Sequence, residues 1–121
     1  MRRAANVDAN QKEIVEFFRD EGATVAVTSM VGAGFPDLVI GYMGRNILVE
    51  IKDGKKPPSK KRLRDEQLAF FNSWGGDCVV VESCDGAQIL LDEIRGSIDC
   101  RRHHALRCHK RITKQSGLFE N

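Results

Sequence analysis

The first apolar stretch of the chain has the period of a helix. Between residues 10 and 21 the apolar side chains recur one turn apart, at Ile14, Phe17 and Phe18. This spacing places them on one helix face. Gly22 follows as a stop signal, and Asp8 or Asn10 suits the N-cap. The segment therefore predicts an amphipathic helix.

Three strand-like segments come next. Residues 24–28 alternate β-branched and small side chains, and after a turn-rich run, 32–36, two strongly apolar segments occupy 37–42 and 46–52. The short connection between the last two suits a β-hairpin. We expect this hairpin to form the centre of a sheet.

The second half of the chain predicts alternating helices and strands. Leu68, Phe71 and Trp74 recur at helical spacing within residues 65–74, residues 77–82 form an apolar strand, and residues 87–94 suit a short closing helix. The order of elements predicts an α/β fold with a mixed central sheet flanked by helices. We place this domain at residues 1–95 and a basic C-terminal tail at 96–121.

Composition narrows the class of protein. A chain of 121 residues with 41% hydrophobic residues can bury one ordinary core. No apolar run approaches the roughly 18 residues of a spanning helix, and no apolar stretch follows the N-terminal Met-Arg-Arg. We therefore expect a cytoplasmic protein with no membrane association. Reduced thiols are expected at the four cysteines, Cys78, Cys84, Cys100 and Cys108.

Positive charge is concentrated in two blocks. Residues 52–64 carry seven basic side chains against one acidic one, and residues 96–121 carry six against two. Such blocks are typical of proteins that neutralise DNA phosphates, although a solvated loop and tail are the alternative. The candidate DNA-binding residues of the first block are Lys55, Lys56, Lys60, Lys61, Arg62 and Arg64.

Three residues of the hairpin have the chemistry of a metal site. Asp37 opens one strand and Glu50 lies near the end of the next, so antiparallel pairing brings the two carboxylates together. A divalent cation such as Mg²⁺ would relieve their repulsion. Lys52 lies two residues after Glu50 and leaves the same strand face, while Ile51 points into the core. This trio suits phosphodiester hydrolysis.

These residues resemble the PD-(D/E)XK nuclease superfamily. Pro36-Asp37 corresponds to the PD of the motif, and Glu50-Ile51-Lys52 corresponds to ExK. The wider context over residues 8–83 resembles the phage-type VRR-NUC branch and is similar to Holliday-junction resolvases. The resemblance implies a restriction-endonuclease-like core. It also implies a metal-dependent DNA endonuclease that leaves a 5′-phosphate.

The resemblance further implies roles for individual residues. Asp37, Glu50 and the Ile51 carbonyl would hold Mg²⁺ or Mn²⁺, Lys52 would assist the attacking water, and Gln67 would support the site. Gln11 aligns with a helix glutamate that often approaches the metal. Glu13 and Glu16 lie nearby at other helical phases, so the sequence leaves open whether Gln11 or a nearby glutamate completes the metal site. We expect branched, flap or junction DNA as substrate, in replication, repair or recombination. A homodimer and a phage or bacterial origin are also expected, and the sequence leaves open whether a helicase or replication partner directs the protein.

Some alternatives remain open from the sequence. The chain could be a catalytically silent nucleic-acid-binding module on the same fold, which the unusual Gln11 would favour.

Helical spacing favours core packing over base stacking for Phe70, Phe71 and Trp74. The run Gly32-Ala33-Gly34 favours a flexible loop near the site over a phosphate-binding motif. The tail could bind structural zinc, although its composition favours a basic nucleic-acid-facing segment; the candidate ligands are Cys100, His103, Cys108 and His109.

Overall fold

A computed structural model describes residues 8–100 of the chain, and their side chains as far as residue 97. In chain order the elements are α1 (Gln11–Asp20), β1 (Thr24–Val27), β2 (Leu38–Tyr42), β3 (Arg45–Ile51), α2 (Pro58–Lys61), α3 (Asp65–Ser73), β4 (Cys78–Val81) and α4 (Cys84–Cys100). Within this range no helix is long and apolar enough to cross a membrane.

The predicted α/β fold is confirmed. The four strands form one mixed sheet in the order β1-β2-β3-β4, in which β1, β2 and β3 are antiparallel and β3 and β4 are parallel. The hairpin between β2 and β3 closes through Met43 and Gly44, whose φ angles are +50° and +83°. Two successive positive φ angles match the twist of a hairpin, so this turn sets the register of the two central strands.

The boundaries of two segments differ from the sequence prediction. The basic segment 52–64 contains the short helix α2. The predicted closing helix begins at Cys84 and continues past Gly96. Ser83 accounts for the early start, because its hydroxyl accepts a hydrogen bond from the Gly86 N–H (3.1 Å). The sequence prediction assigned no element to residues 83–86, although a serine before a helix is a recognised N-cap signal.

The hydrophobic core lies on one face of the sheet. Helices α1 and α4 contact each other there and pack against the strands. The largest fully buried side chains include Phe18 and Ile14 from α1, Leu91 and Ile94 from α4, and Ile40 from β2. Ile51 also belongs to this core, as predicted. The apolar face of α1 thus anchors the sheet and leaves the opposite face available for other contacts.

Helix α3 lies against that opposite face and is polar where it is most buried. Gln67 is its buried residue, at 5% exposure, and it contacts Glu50, whose side chain leaves β3 on the face away from Val49 and Ile51. The expected core packing of the α3 aromatics is therefore wrong. Trp74 is 44% exposed, and Phe70 and Phe71 are only partly buried and outside the core. Helical periodicity located an apolar face but not what it packs against.

The loop before β2 packs directly on the first turn of α3. Gly34 has a φ of +79°, and a Cβ atom there would lie 2.4 Å from the backbone oxygen of Glu66. Gly32 has a similar φ of +82°, but a Cβ atom at that position would meet nothing within 4 Å. The absent side chain of Gly34 thus lets the loop approach the helix that carries Gln67.

We predict that Gly34→Ala is more destabilising than Gly32→Ala. Both substitutions place a side chain at a positive φ, which costs about 1 kcal/mol. Gly34→Ala must in addition displace helix backbone, which adds about 1–3 kcal/mol. Urea denaturation of the two variants measures this difference. Equal losses in the free energy of unfolding would contradict the close packing of the loop on α3.

Candidate active site

The register of the central hairpin brings Asp37 and Glu50 together. Leu38 pairs with Val49, so Asp37, one residue before Leu38, lies opposite Glu50, one residue after Val49. The carboxylate of Asp37 accepts a hydrogen bond from the backbone N–H of Ile51 at 2.8 Å. This bond holds Asp37 against the end of β3. The predicted juxtaposition of the two carboxylates is present.

Glu50, Lys52 and Gln67 form a buried polar network. The Gln67 side-chain N–H donates to Glu50 Oε2 at 2.8 Å, and the Lys52 ammonium donates to Gln67 Oε1 at 3.0 Å. Lys52 Nζ also lies 3.5 Å from Glu50 Oε2. The three residues are 3%, 9% and 5% exposed in the order Glu50, Lys52, Gln67. Gln67 therefore bridges the acid and the base and sets their separation.

Gln67 is itself held by the start of α3. It occupies the third helical position, and its Oε1 also accepts the backbone N–H of Arg64 at 2.9 Å. This is the reciprocal half of a capping box, in which the side chain satisfies an unpaired N–H of the helix terminus. One amide side chain thus couples the helix cap to the carboxylate cluster.

Burial and repulsion from neighbouring carboxylates raise the pKa of both carboxyl groups. Burial raises the pKa of Glu50, and the neighbouring Asp37 raises it further, to about 7 despite the opposing effect of Lys52. The pKa of Asp37 is also raised, mainly by burial, against the lowering effect of its hydrogen bond from Ile51. Nearby Asp8 adds to this increase. A nearby positive charge would therefore stabilise the ionised form of both carboxyl groups.

The donor set fits a hard divalent cation. Asp37 and Glu50 offer carboxylate oxygens, which Mg²⁺ prefers, and Mg²⁺ commonly uses one or two carboxylates together with water and phosphate. Among residues 8–97 no group of three or more His, Cys, Asp or Glu side chains is placed to hold a metal ion. A metal at this site would therefore depend on these two carboxylates, the backbone and the substrate.

The structure places Gln11 outside the cluster. Both ends of its amide bind Ser29: Nε2 donates to the hydroxyl at 3.0 Å, and Oε1 accepts from it at 3.2 Å. Gln11 does not line the cavity over the carboxylates, whereas Ser29 does. Its predicted contact with a metal therefore has no counterpart in this arrangement. Glu13 is also elsewhere, beside Cys84 in a second cavity.

Two residues that the sequence suggested only as helix caps make other contacts instead. Asn10 makes no side-chain cap, and its amide N–H group donates to the carbonyls of Lys52 (3.2 Å) and Glu82 (2.8 Å). Asp8 lines the cavity and forms an ion pair with Lys56 at 3.3 Å. Sequence reasoning missed both roles, because they depend on where α1 starts relative to the ends of β3 and β4.

A cavity of about 560 Å³ opens over the carboxylates. The loop 32–35 and the segment 59–64 both line it, and the basic residues among its walls are Lys52, Lys60, Arg62 and Arg64. Only some of the predicted DNA-binding residues therefore line this cavity. Lys61 pairs with Glu82 at 3.1 Å, and Lys55 lines the second cavity beside Asp53. Lys60, Arg62 and Arg64 are the members of the predicted set that face the site.

Neither of the two described cysteines lines this cavity. Cys78 and Cys84 are free thiols, and burial raises the pKa of Cys78 to about 11. The candidate zinc ligands of the tail, Cys100, His103, Cys108 and His109, lie outside the residues whose side chains are described.

Comparison with known families and curated proteins does not supply an assignment for this site. No protein-family model matches the chain, and no curated protein matches it. The functional interpretation therefore depends on the geometry above.

We predict that Glu50→Gln gains stability relative to the wild type as pH rises in a metal-free buffer. Folded Glu50 keeps its proton up to a pKa of about 7, above its ordinary value of 4.5. Its ionisation therefore penalises the folded state as pH rises between these values, by about 3 kcal/mol. Urea denaturation from pH 4 to 8 with chelator measures the difference in free energy of unfolding.

The control for this comparison is Glu93→Gln, which removes an exposed carboxylate from α4. Its free energy of unfolding should differ from that of the wild type by a nearly constant amount over the same pH range. A flat difference for Glu50→Gln as well would refute the raised pKa.

Proposed function

We propose that the chain is a metal-dependent DNA endonuclease that hydrolyses phosphodiester bonds. The supporting observation is the network of Asp37, Glu50, Lys52 and Gln67 at a cavity lined by further basic residues. A structural ion pair alone would need one acid and one base. Here two adjacent acids, the buried Glu50 and the half-buried Asp37, both have raised pKa values, an arrangement that costs stability and is typical of functional sites.

Asp37 and Glu50 are the residues that would hold Mg²⁺ or Mn²⁺, together with the backbone carbonyl of Ile51. Such an ion would supply Lewis-acid stabilisation of the phosphate and neutralise the paired carboxylates. The backbone of the hairpin keeps the two acids in place, through the β2–β3 register and the Ile51 N–H bond to Asp37. The protein thus contributes a preformed pair of oxygen ligands.

Lys52 would act on the attacking water and on the phosphate. Its ammonium carries three N–H donors, of which one is directed to Gln67 Oε1. The residue also lines the cavity, so its ammonium can orient a water molecule or stabilise charge developing on phosphate oxygens. Gln67 would be a positioning residue, since it holds Lys52 and Glu50 by separate atoms of one amide.

Lys60, Arg62 and Arg64 would bind the phosphates that flank the cut. They line the same cavity as the carboxylates, and phosphate contacts fix the register of a strand without reading its bases. This supports selection by DNA shape, with branched, flap or junction DNA as the proposed substrates. A cytoplasmic homodimer acting in replication, repair or recombination remains part of the proposal.

We predict metal-dependent cleavage by the wild type and its loss in three variants. With Mg²⁺ or Mn²⁺ the protein should cut at least one member of a panel of duplex, flap, fork and four-way DNAs, and chelator should stop it. Asp37→Asn, Glu50→Gln and Lys52→Ala should each lower the rate by about 10² to 10³. Gel assays under single-turnover conditions measure these rates.

Calorimetric metal titration separates the roles of these residues. Metal affinity should fall in the two carboxylate variants and persist in Lys52→Ala, because loss of a neighbouring ammonium removes repulsion of the cation. Normal cleavage by Lys52→Ala would overturn its assigned role. DNA binding without cleavage of any substrate would instead favour a silent nucleic-acid-binding module.

We also predict that two lysines of the basic segment 52–64 contribute differently to DNA affinity. Lys60→Ala should weaken binding of every DNA sequence and reduce the slope of log affinity against log salt by about 0.7 to 0.9. Lys55→Ala is the matched control, because it removes the same charge from a residue that lines the other cavity. Anisotropy titrations over a salt series measure both, and identical slopes would contradict a specific phosphate contact at Lys60.

A further inference from the structure

Three aromatic rings form a ladder that leads from the cavity to the protein surface. Phe35 lines the cavity, and its ring meets that of Phe70 edge to face, with centroids 5.3 Å apart and planes at 66°. Phe70 then stacks on Trp74 at 5.2 Å with an interplanar angle of 17°. Trp74 is the last ring, and it is 44% exposed.

The orientation of the Trp74 ring is constrained by its neighbours. Phe70 stacks on one of its faces, and Gly76 lies at its pyrrole edge, where a Cβ atom would be 3.0 Å from the indole Nε1. A side chain at residue 76 would therefore press against the ring. The stack on Phe70 holds the exposed ring from one face and so leaves it less rotamer freedom to lose when it binds, which is a partial preorganisation.

The surroundings of the ladder favour a nucleic-acid strand as its partner. Phe35 shares its cavity with Asp37 and Glu50 and with the basic residues Lys60 and Arg62. A strand whose phosphate reached the carboxylates would place its neighbouring bases close to Phe35. Bases stack on aromatic rings whatever their sequence, and basic grooves beside such rings are the usual form of single-strand sites.

We propose that the ladder of Phe35, Phe70 and Trp74 is a stacking platform for an unpaired nucleobase, with Trp74 as the ring that contacts the base. Trp74 is two ring contacts from the cavity, so the base belongs to a nucleotide close to the scissile phosphate. The inference rests on the proposed function and deepens it: the substrate has an unpaired base near the cut. A paired base in a continuous duplex presents only its edges to the protein and cannot stack on this ring.

Trp74 provides a direct test, because it is the one tryptophan of the chain. Binding of single-stranded oligothymidylate in chelator, which prevents cleavage, should quench the tryptophan fluorescence, and a blunt duplex of equal length should quench it less. Trp74→Ala should weaken oligothymidylate binding about 5- to 150-fold by anisotropy, the range for one base–aromatic stack. Trp74→Phe should restore most of the affinity.

Ile89→Ala is the control variant, because Ile89 is an apolar residue of α4 that is 59% exposed. It should bind oligothymidylate like the wild type. Unchanged fluorescence on saturation, or wild-type affinity in Trp74→Ala, would overturn the platform. Loss of self-association in Trp74→Ala by light scattering, with DNA affinity intact, would also overturn it and assign the ring to a second copy of the chain.

The outcomes also separate this inference from the proposed function. Quenching and a Trp74-dependent affinity without cleavage of any DNA support the platform and refute the nuclease. Metal-dependent cleavage with no fluorescence change and no effect of Trp74→Ala supports the nuclease and refutes the platform.

Discussion

The forced proximity of a buried and a half-buried carboxyl group is the constraint on which the rest of the site depends. The β2–β3 register places Asp37 opposite Glu50, and the backbone of Ile51 holds Asp37 in place. Burial raises the pKa of Glu50, and the neighbouring carboxylate of Asp37 raises it further. The pair therefore costs folding free energy near neutral pH. Lys52 offsets part of this cost, because its charge lowers the pKa of Glu50.

The hydrophobic core supports this unfavourable cluster from the other side of the sheet. Alternation along β3 directs Val49 and Ile51 into the apolar core and Glu50 to the opposite face. The same strand therefore anchors the sheet and presents the acid. The side-chain N–H group of Asn10 donates hydrogen bonds to the carbonyls of Lys52 and Glu82. These two bonds fix the ends of β3 and β4 relative to the start of α1.

Helix α3 is positioned by polar contacts more than by apolar burial. Gln67 satisfies the helix terminus, the acid and the base together, and Gly34 allows the neighbouring loop to touch the helix backbone. Because polar contacts hold the helix on the sheet, its apolar residues do not cover the sheet. Leu68 and Trp74 are exposed. The apolar side chains of α3 are thus available for contacts outside the core.

The sequence by itself determined the parts of this protein that local patterns encode. Two strongly apolar segments located the hairpin. Their short connection placed Asp37 beside Glu50, and strand alternation put Lys52 on the same face as Glu50. These contacts follow from strand alternation and a single short connection, so few arrangements compete with them. Helix ends such as Ser83 were also encoded locally, although the signal was overlooked.

Only the tertiary structure decided the contacts between segments distant in sequence. The spacing of Phe70, Phe71 and Trp74 indicated an apolar face but could not show that α3 lies on the site face of the sheet, where little covers it. The partners of Gln11, Asp8 and Lys61 depend likewise on how helices and loops dock. Periodicity describes which way side chains point from one element, whereas burial and ion pairing depend on the surface that meets them.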